Sequence, residues 1–213
     1  GMGISKAKGM VIANRLKDKK QNIFVLTGDG ELQEGQIWES LQSASNNEMS
    51  EITVFVDHNK VQSDYQVSKT SDLGDIESKF KAFGWNVIRC DGNDFISISD
   101  SLNQSSNISN RLPTVIIADT IKGKGVSFME HTAITDKSRY MYHSGAPTNQ
   151  QYIEASDELI SAQNILLNKL GEPELNFQEA PLTHLQVSTD NKISLMKSYS
   201  DALIDQAHKN PNI

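Results

Sequence analysis

Residues 23–60 read IFVLTGDGELQEGQIWESLQSASNNEMSEITVFVDHNK, and this stretch decides the fold. An apolar run, Ile23 to Leu26, halts at Gly28-Asp29-Gly30; a helical stretch follows; a second apolar run, Ile52 to Val56, halts at Asp57-His58-Asn59. The pattern predicts a βαβ unit with polar residues at both strand ends. Ligands of open parallel sheets bind in the crevice outside the carboxyl ends of the strands, so Asp29 and Asn59 are placed to meet over one ligand.

The residue types say what that ligand carries. Gly28 and Gly30 let the backbone turn sharply and approach a bulky anion, whereas the Asp29 carboxylate repels a bare phosphate unless a cation lies between them. A divalent cation is implied. Mg²⁺ takes oxygen ligands octahedrally and shares its shell among one or two carboxylates, phosphate oxygens and water. Asp29, the amide oxygen of Asn59 and the backbone carbonyl of Val61 form the candidate protein set, with a diphosphate and a water completing it.

Gly28-Asp29-Gly30, then 28 residues, then Asn59-Lys60 resembles the motif by which thiamine-diphosphate enzymes hold Mg²⁺ and the cofactor's diphosphate. GDGELQEGQIWES narrows the resemblance to the transketolase family, in which a Leu-Gln-Glu-Gly segment follows the GDG and opens a helix. Two later stretches, TIKGKGVSFME (120–130) and HSGAP (143–147), resemble the same family in the same order. Four ordered landmarks are far more specific than one short pattern.

The resemblance implies residue roles. Asp29, Asn59 and Val61 hold Mg²⁺, and Gly28 and Gly30 make room for the diphosphate. Ile121 touches the cofactor rings, and Lys122 or Lys124 neutralises phosphate. His143 is the candidate catalytic residue, matching a family histidine before Gly-Ala-Pro that contacts diphosphate and the substrate side; Ser144 is an insertion relative to the commoner His-Gly-Ala-Pro. Glu34 falls where the family has a glutamate in the subunit interface, although a first-turn acid is also favoured by the helix dipole alone. His131 stands where an asparagine is more usual and receives no role.

Composition sets bounds. The chain has 213 residues, 22% charged and 37% hydrophobic, with a net charge of −7. That is an ordinary globular composition, and its acidity argues against a nucleic-acid partner, because phosphate backbones bind to basic surface. The lone Cys90 forms no internal disulfide and reads as a small core residue suited to a reducing compartment. No apolar run approaches the roughly 18 residues that span a bilayer, so no membrane partner and a cytoplasmic location are expected. A dinucleotide-binding reading fails because no G-x-G-x-x-G opens a helix after the first strand.

Along the chain, Gly3 to Lys17 reads as an amphipathic helix with Ile4, Ala7, Met10, Val11, Ala13 and Leu16 as its apolar positions. A helix opening at Glu34 buries Ile37, Trp38, Leu41 and Ala44. Residues 62–72 read as a surface loop and 75–83 as a short helix. Trp85 to Cys90 and Pro113 to Ala118 read as the third and fourth strands, with a helix over 95–107 turning Phe95, Ile98 and Leu102 inward. The Asp91-Gly92-Asn93-Asp94 turn is read as punctuation without chemistry. Tyr152 to Leu170 is a helix. The alternation predicts an α/β fold of three layers, a mainly parallel sheet flanked by helices. Residues 1–171 are assigned to a diphosphate-binding domain lacking its start, 172–190 to a linker, and 191–213, with a helix over 193–208, to the opening of a truncated pyrimidine-binding domain.

The activity implied by resemblance is transfer of a two-carbon ketol group between sugar phosphates, as in the pentose phosphate pathway. The family's aminopyrimidine is activated by an acidic residue of the pyrimidine domain of a partner subunit. This chain alone is therefore expected to be inactive, pairing as a homodimer or with a pyrimidine-binding subunit, and to present an apolar face where its partner half docks. The alternative is a catalytically inactive paralogue serving as a cofactor-binding or assembly module.

Overall fold

The computed structural model describes residues 1–133, 139–144, 146–176, 204, 205 and 209, and falls into two units, Gly1–Glu174 and Leu175–Ile213. The linker over 172–190 and the helix over 193–208 lie almost wholly outside the described residues. In the first unit, α1 (Gly3–Leu16) precedes β1 (Ile23–Gly28), and a 3-10 helix (Asp29–Gln33) leads into α2 (Gly35–Asn46). Next come β2 (Ile52–His58), a hairpin of β3 (Val61–Gln62) and β4 (Tyr65–Gln66), α3 (Val67–Thr70) and α4 (Ile76–Ala82). The unit continues through β5 (Asn86–Asp91), α5 (Phe95–Ser106), β6 (Thr114–Asp119) and α6 (Asn149–Leu170). No helix among the described residues is long and apolar enough to cross a membrane.

The four long strands form one parallel sheet in the order β1-β2-β6-β5. Their registers match Gly28 to Asp57, His58 to Asp119, and Asp91 to Asp119. All four strands therefore end level, and every polar strand end opens at one edge.

Alternation of side chains across the strands divides the core into two layers. On one face Val25, Ile52, Val54, Val56, Val115 and Ile117 pack with Ile4, Ala7 and Val11 of α1, Ile37, Leu41 and Ala44 of α2, and Phe80 of α4. On the other, Ile88, Cys90, Ile116 and Ala118 pack with Ile98 and Leu102 of α5. Each fully buried aliphatic side chain contributes about 1.5–3 kcal/mol. Among the described residues, the second face is covered toward β5 and β6. At β1, Phe24 is 59% and Leu26 78% exposed.

Several local expectations change. Phe95 is 90% exposed, because it opens α5 just after the Asp94 cap, and helical side chains lean toward the N-terminus, past the strand ends. Met10, Ala13 and Leu16 are exposed, as only the Ile4-Ala7-Val11 row of α1 meets the sheet. Residues 62–72 are a hairpin and a helical turn rather than an open loop. α2 starts one residue after Glu34, whose extended backbone forms the cap, and α6 starts at Asn149, where Thr148 accepts the Gln151 N–H at 3.2 Å.

Candidate functional site

Three strand ends build the site. At the end of β1, Gly28 is extended (φ −81°) rather than sharply turned, and the turn is made by the 3-10 helix after it. Glu31 folds back to accept the Gly28 N–H at 3.0 Å and the Thr27 hydroxyl at 2.9 Å, while the Trp38 indole N–H donates to the Leu32 carbonyl at 2.6 Å. The ELQEG segment thereby pins the GDG turn to β1 and α2. A Cβ at Gly28 meets open space, whereas one at Gly30 sits 2.8 Å from Gln62 Cβ. Close backbone approach is thus required at Gly30 and not at Gly28.

Asp29 is 2% exposed. Its Oδ2 accepts the Lys60 backbone N–H at 2.5 Å, and burial raises its pKa against the help of the Lys60 and Gly30 N–H groups. No ion pair forms with it among the described residues. Asn59 Oδ1 accepts the Val61 N–H at 2.9 Å, and Asn59 Nδ2 donates to Asp57 Oδ2 at 3.1 Å. Asp57 is held in turn by the Thr120 hydroxyl. Asp57 and Thr120 thus fix which way the Asn59 amide faces. Lys60, between Asn59 and Val61, has left-handed backbone (φ 65°).

The structure accordingly brings Asp29 against the Asn59-Lys60-Val61 turn. Among the described residues no cluster of three His, Cys, Asp or Glu side chains is suited to a metal. Any cation here depends on one carboxylate with amide and carbonyl oxygens, the donor set of a hard ion. Two observations fit one: Asp29 is a buried carboxylate with no direct ion pair among the described residues, and the Oε1 of Gln62, beside Gly30, is buried with no hydrogen-bond partner among them. Leaving such an acceptor unmet costs about 1–3 kcal/mol.

The segment after β6 supplies cationic groups. The Ile121 N–H donates to Asn93 Oδ1 at 2.7 Å, so the turn read as punctuation anchors this segment. Lys122 Nζ donates to the Ser63 carbonyl at 3.0 Å, lies 3.1 Å from His143 Nδ1, and sits 4.9 Å from the centre of the Tyr140 ring. Burial lowers its pKa, opposed by the charges of Asp64, Asp57 and Asp29. Lys124 pairs instead with Glu130 at 3.2 Å. His131 closes the 122–131 loop: its N–H donates to the Lys122 carbonyl at 2.9 Å, and its Nδ1 accepts the Lys122 N–H at 3.0 Å. Burial holds its pKa below the usual value, which keeps Nδ1 an acceptor.

Beside the acid site, a cavity of about 790 Å³ is lined by Lys60, Asn93, Thr120, Ile121, Lys124 and His131 among others, and by neither Asp29 nor Asn59. At its wall Asp119 accepts Arg89 Nε at 2.6 Å and lies 2.7 Å from His58 Nδ1. The Arg89 guanidinium, with help from His58, overcomes burial and holds Asp119 at a pKa of about 2. Sequence reading missed Asp57, Thr120, Asn93, Asp119 and Arg89. The polar run Asp57-His58-Asn59 and the Asp119-Thr120 strand end carried the available signal for the first two and for Asp119.

Residues 1–153 match the family model described as transketolase, thiamine diphosphate binding domain. The chain belongs to the transketolase family. It is 37% identical over 130 residues to the 6-deoxy-6-sulfo-D-fructose transketolase subunit of a Clostridium species, covering 61% of this chain and 47% of that protein. It is 36% identical over 162 residues to an apulose-4-phosphate transketolase subunit of Actinobacillus succinogenes, covering 75% and 54%. The crystal structure of Campylobacter jejuni transketolase superposes with a TM-score of 0.57 at 21% identity, over 80% of this chain and 30% of that one. The fold is thus shared with transketolases, and this transketolase-family chain spans about half the length of the curated relatives it matches.

Proposed function

We propose that this transketolase-family chain is the diphosphate-binding part of a thiamine-diphosphate- and Mg²⁺-dependent transketolase that moves a two-carbon ketol group between sugar phosphates. The observation that carries the reading is Asp29, a buried carboxylate with no direct ion pair among the described residues, gripping the turn that bears Asn59 and Val61. Asp29, Asn59 Oδ1 and the Val61 carbonyl would hold Mg²⁺, with Asp57 and Thr120 orienting the amide. When bound, thiamine diphosphate supplies the carbanion-stabilising chemistry. Gly28 would leave room for the diphosphate, Lys122 and His143 would serve it as cationic and imidazole donors, and Ile121 would contact the rings. His143, exposed in its loop, would also serve the substrate side.

None of these groups activates the aminopyrimidine, so a pyrimidine-binding domain or subunit is required. Relatives named as transketolase subunits support a two-chain enzyme. Glu34, at the head of α2 with 55% of its side chain exposed, is available for that interface. The test is calorimetric titration of thiamine diphosphate into the chain with Mg²⁺, repeated with EDTA and with Asp29→Ala, alone and with a pyrimidine-domain partner. Binding that needs both metal and Asp29 is expected; binding indifferent to either overturns the reading.

A further inference from the structure

The loop carrying His143 is tied down by a contact from the other side of the site. β3 and β4 are joined by Ser63 and Asp64, and Ser63 has left-handed backbone (φ 49°). This two-residue tip touches both segments that bear the Lys122 and His143 side chains. The Ser63 carbonyl accepts Lys122 Nζ at 3.0 Å, and the Asp64 carbonyl accepts the Tyr140 N–H at 2.5 Å. The Asp64 Oδ2 accepts Nε and Nη2 of Arg139 at 3.0 and 2.8 Å. Tyr140 is buried, donates its hydroxyl to the Met129 carbonyl at 3.0 Å, and presents its ring to Lys122.

An ion pair this open contributes little to global stability: the Arg139 side chain is 57% exposed. Its effect falls on the conformation of one short surface segment, where a small free energy decides how often the segment is in place. We propose that Asp64 and Arg139 are positioning residues, a latch holding residues 139–143 so that His143 stays beside Lys122 to receive an anionic cofactor group. The latch acts through the backbone at Tyr140. This rests on the reading of Lys122 and His143 as diphosphate-binding groups.

Hydrogen exchange on the full chain without ligand tests the latch directly. Asp64→Asn and Arg139→Gln are each expected to speed exchange of the Tyr140 amide, the one bonded to the Asp64 carbonyl, about fivefold, with no added effect in the double variant. The charge exchange Asp64→Arg with Arg139→Asp is expected to restore much of the protection, which a merely packed segment has no reason to do. Unchanged exchange in both single variants overturns the latch. In the Mg²⁺-supported titration the single variants are expected to bind thiamine diphosphate several-fold more weakly, and wild-type affinity in both overturns the positioning role alone. If the wild-type chain, with its pyrimidine-domain partner, binds none, it is the cofactor reading that fails, while the exchange result still decides the latch.

Discussion

The Asp29 carboxylate receives the backbone N–H of Lys60 at 2.5 Å, and Lys60 occupies left-handed backbone at φ 65°. A residue with a side chain is disfavoured there by about 1–2 kcal/mol, and the charge-assisted bond offsets this by a similar amount. The outcome is a turn whose oxygens and carboxylate share one locality at the sheet edge. Strain held in place at one point is typical of sites that bind something.

Burial raises the pKa of Asp29, so its proton is favoured by folding. The corresponding stability is fully present below about pH 4 and is lost as pH rises through the folded-state pKa. Above that pKa the ionised group weighs against the fold. Asp29→Asn keeps an acceptor for Lys60 without the charge and is expected to raise the stability of the cofactor-free chain by about 1 kcal/mol, or about 2–4 °C in Tm. The same substitution is expected to abolish Mg²⁺-dependent cofactor binding. Scanning calorimetry at pH 7 and pH 4 checks the first part, since the gain should shrink at the lower pH. A variant less stable than wild type at pH 7 would show that Asp29 serves the fold first.

Gly28 separates room for a ligand from room for the chain. Its φ of −81° suits any residue, and a Cβ there meets nothing within 4 Å. Gly28→Ala is expected to change folding stability by less than about 0.5 kcal/mol while weakening thiamine diphosphate binding by tenfold or more. Gly30→Ala, whose Cβ meets Gln62 Cβ at 2.8 Å, is expected to cost about 1–3 kcal/mol of stability as well. Urea melts beside titrations separate the two, and equal stability losses would count against the assignment of Gly28.

What was legible in the sequence was local and periodic. The runs Ile23 to Leu26 and Ile52 to Val56 fixed two strands, and the polar residues after them fixed which edge the site occupies. The strand order, with β6 between β2 and β5, is a long-range choice that no run of residues signals. For the same reason Asp57 with Thr120, Asp119 with Arg89, and Asp64 with Arg139 were invisible: each joins residues brought together by the order of the strands or by the hairpin. The inward reading of Phe95 failed because periodicity gives a helix face but not where the helix begins over the sheet.

Neighbouring strand residues test the uneven cover of the sheet among the described residues. Val54 is completely buried between the layers, whereas Phe24 on the adjoining strand is 59% exposed. Val54→Ala is expected to cost about 1–3 kcal/mol through lost burial and a residual cavity, and Phe24→Ala less than about 1 kcal/mol in the isolated chain. Should a partner restore activity, the order is expected to reverse for assembly, with Phe24→Ala weakening the complex. Equilibrium unfolding of the two variants is sufficient for the first comparison, and comparable costs would mean that the β1 face is covered in solution.

Asp119 links three strand ends through Arg89 and His58, and its pKa is held at about 2. The sign is opposite to that of Asp29. A depressed carboxylate contributes stability that is complete above the unfolded value near 3.9 and disappears as pH falls toward 2. The Asp119 side chain is 36% exposed and that of Arg89 43%, so solvent screening limits the contribution to about 1 kcal/mol. Asp119→Asn is expected to lose that amount at pH 6 and to approach wild type as pH falls through 2. Thermal melts across pH 2 to 6 give the two curves. A constant offset between them would assign the loss to packing, and convergence between pH 4 and 2 assigns it to the charge.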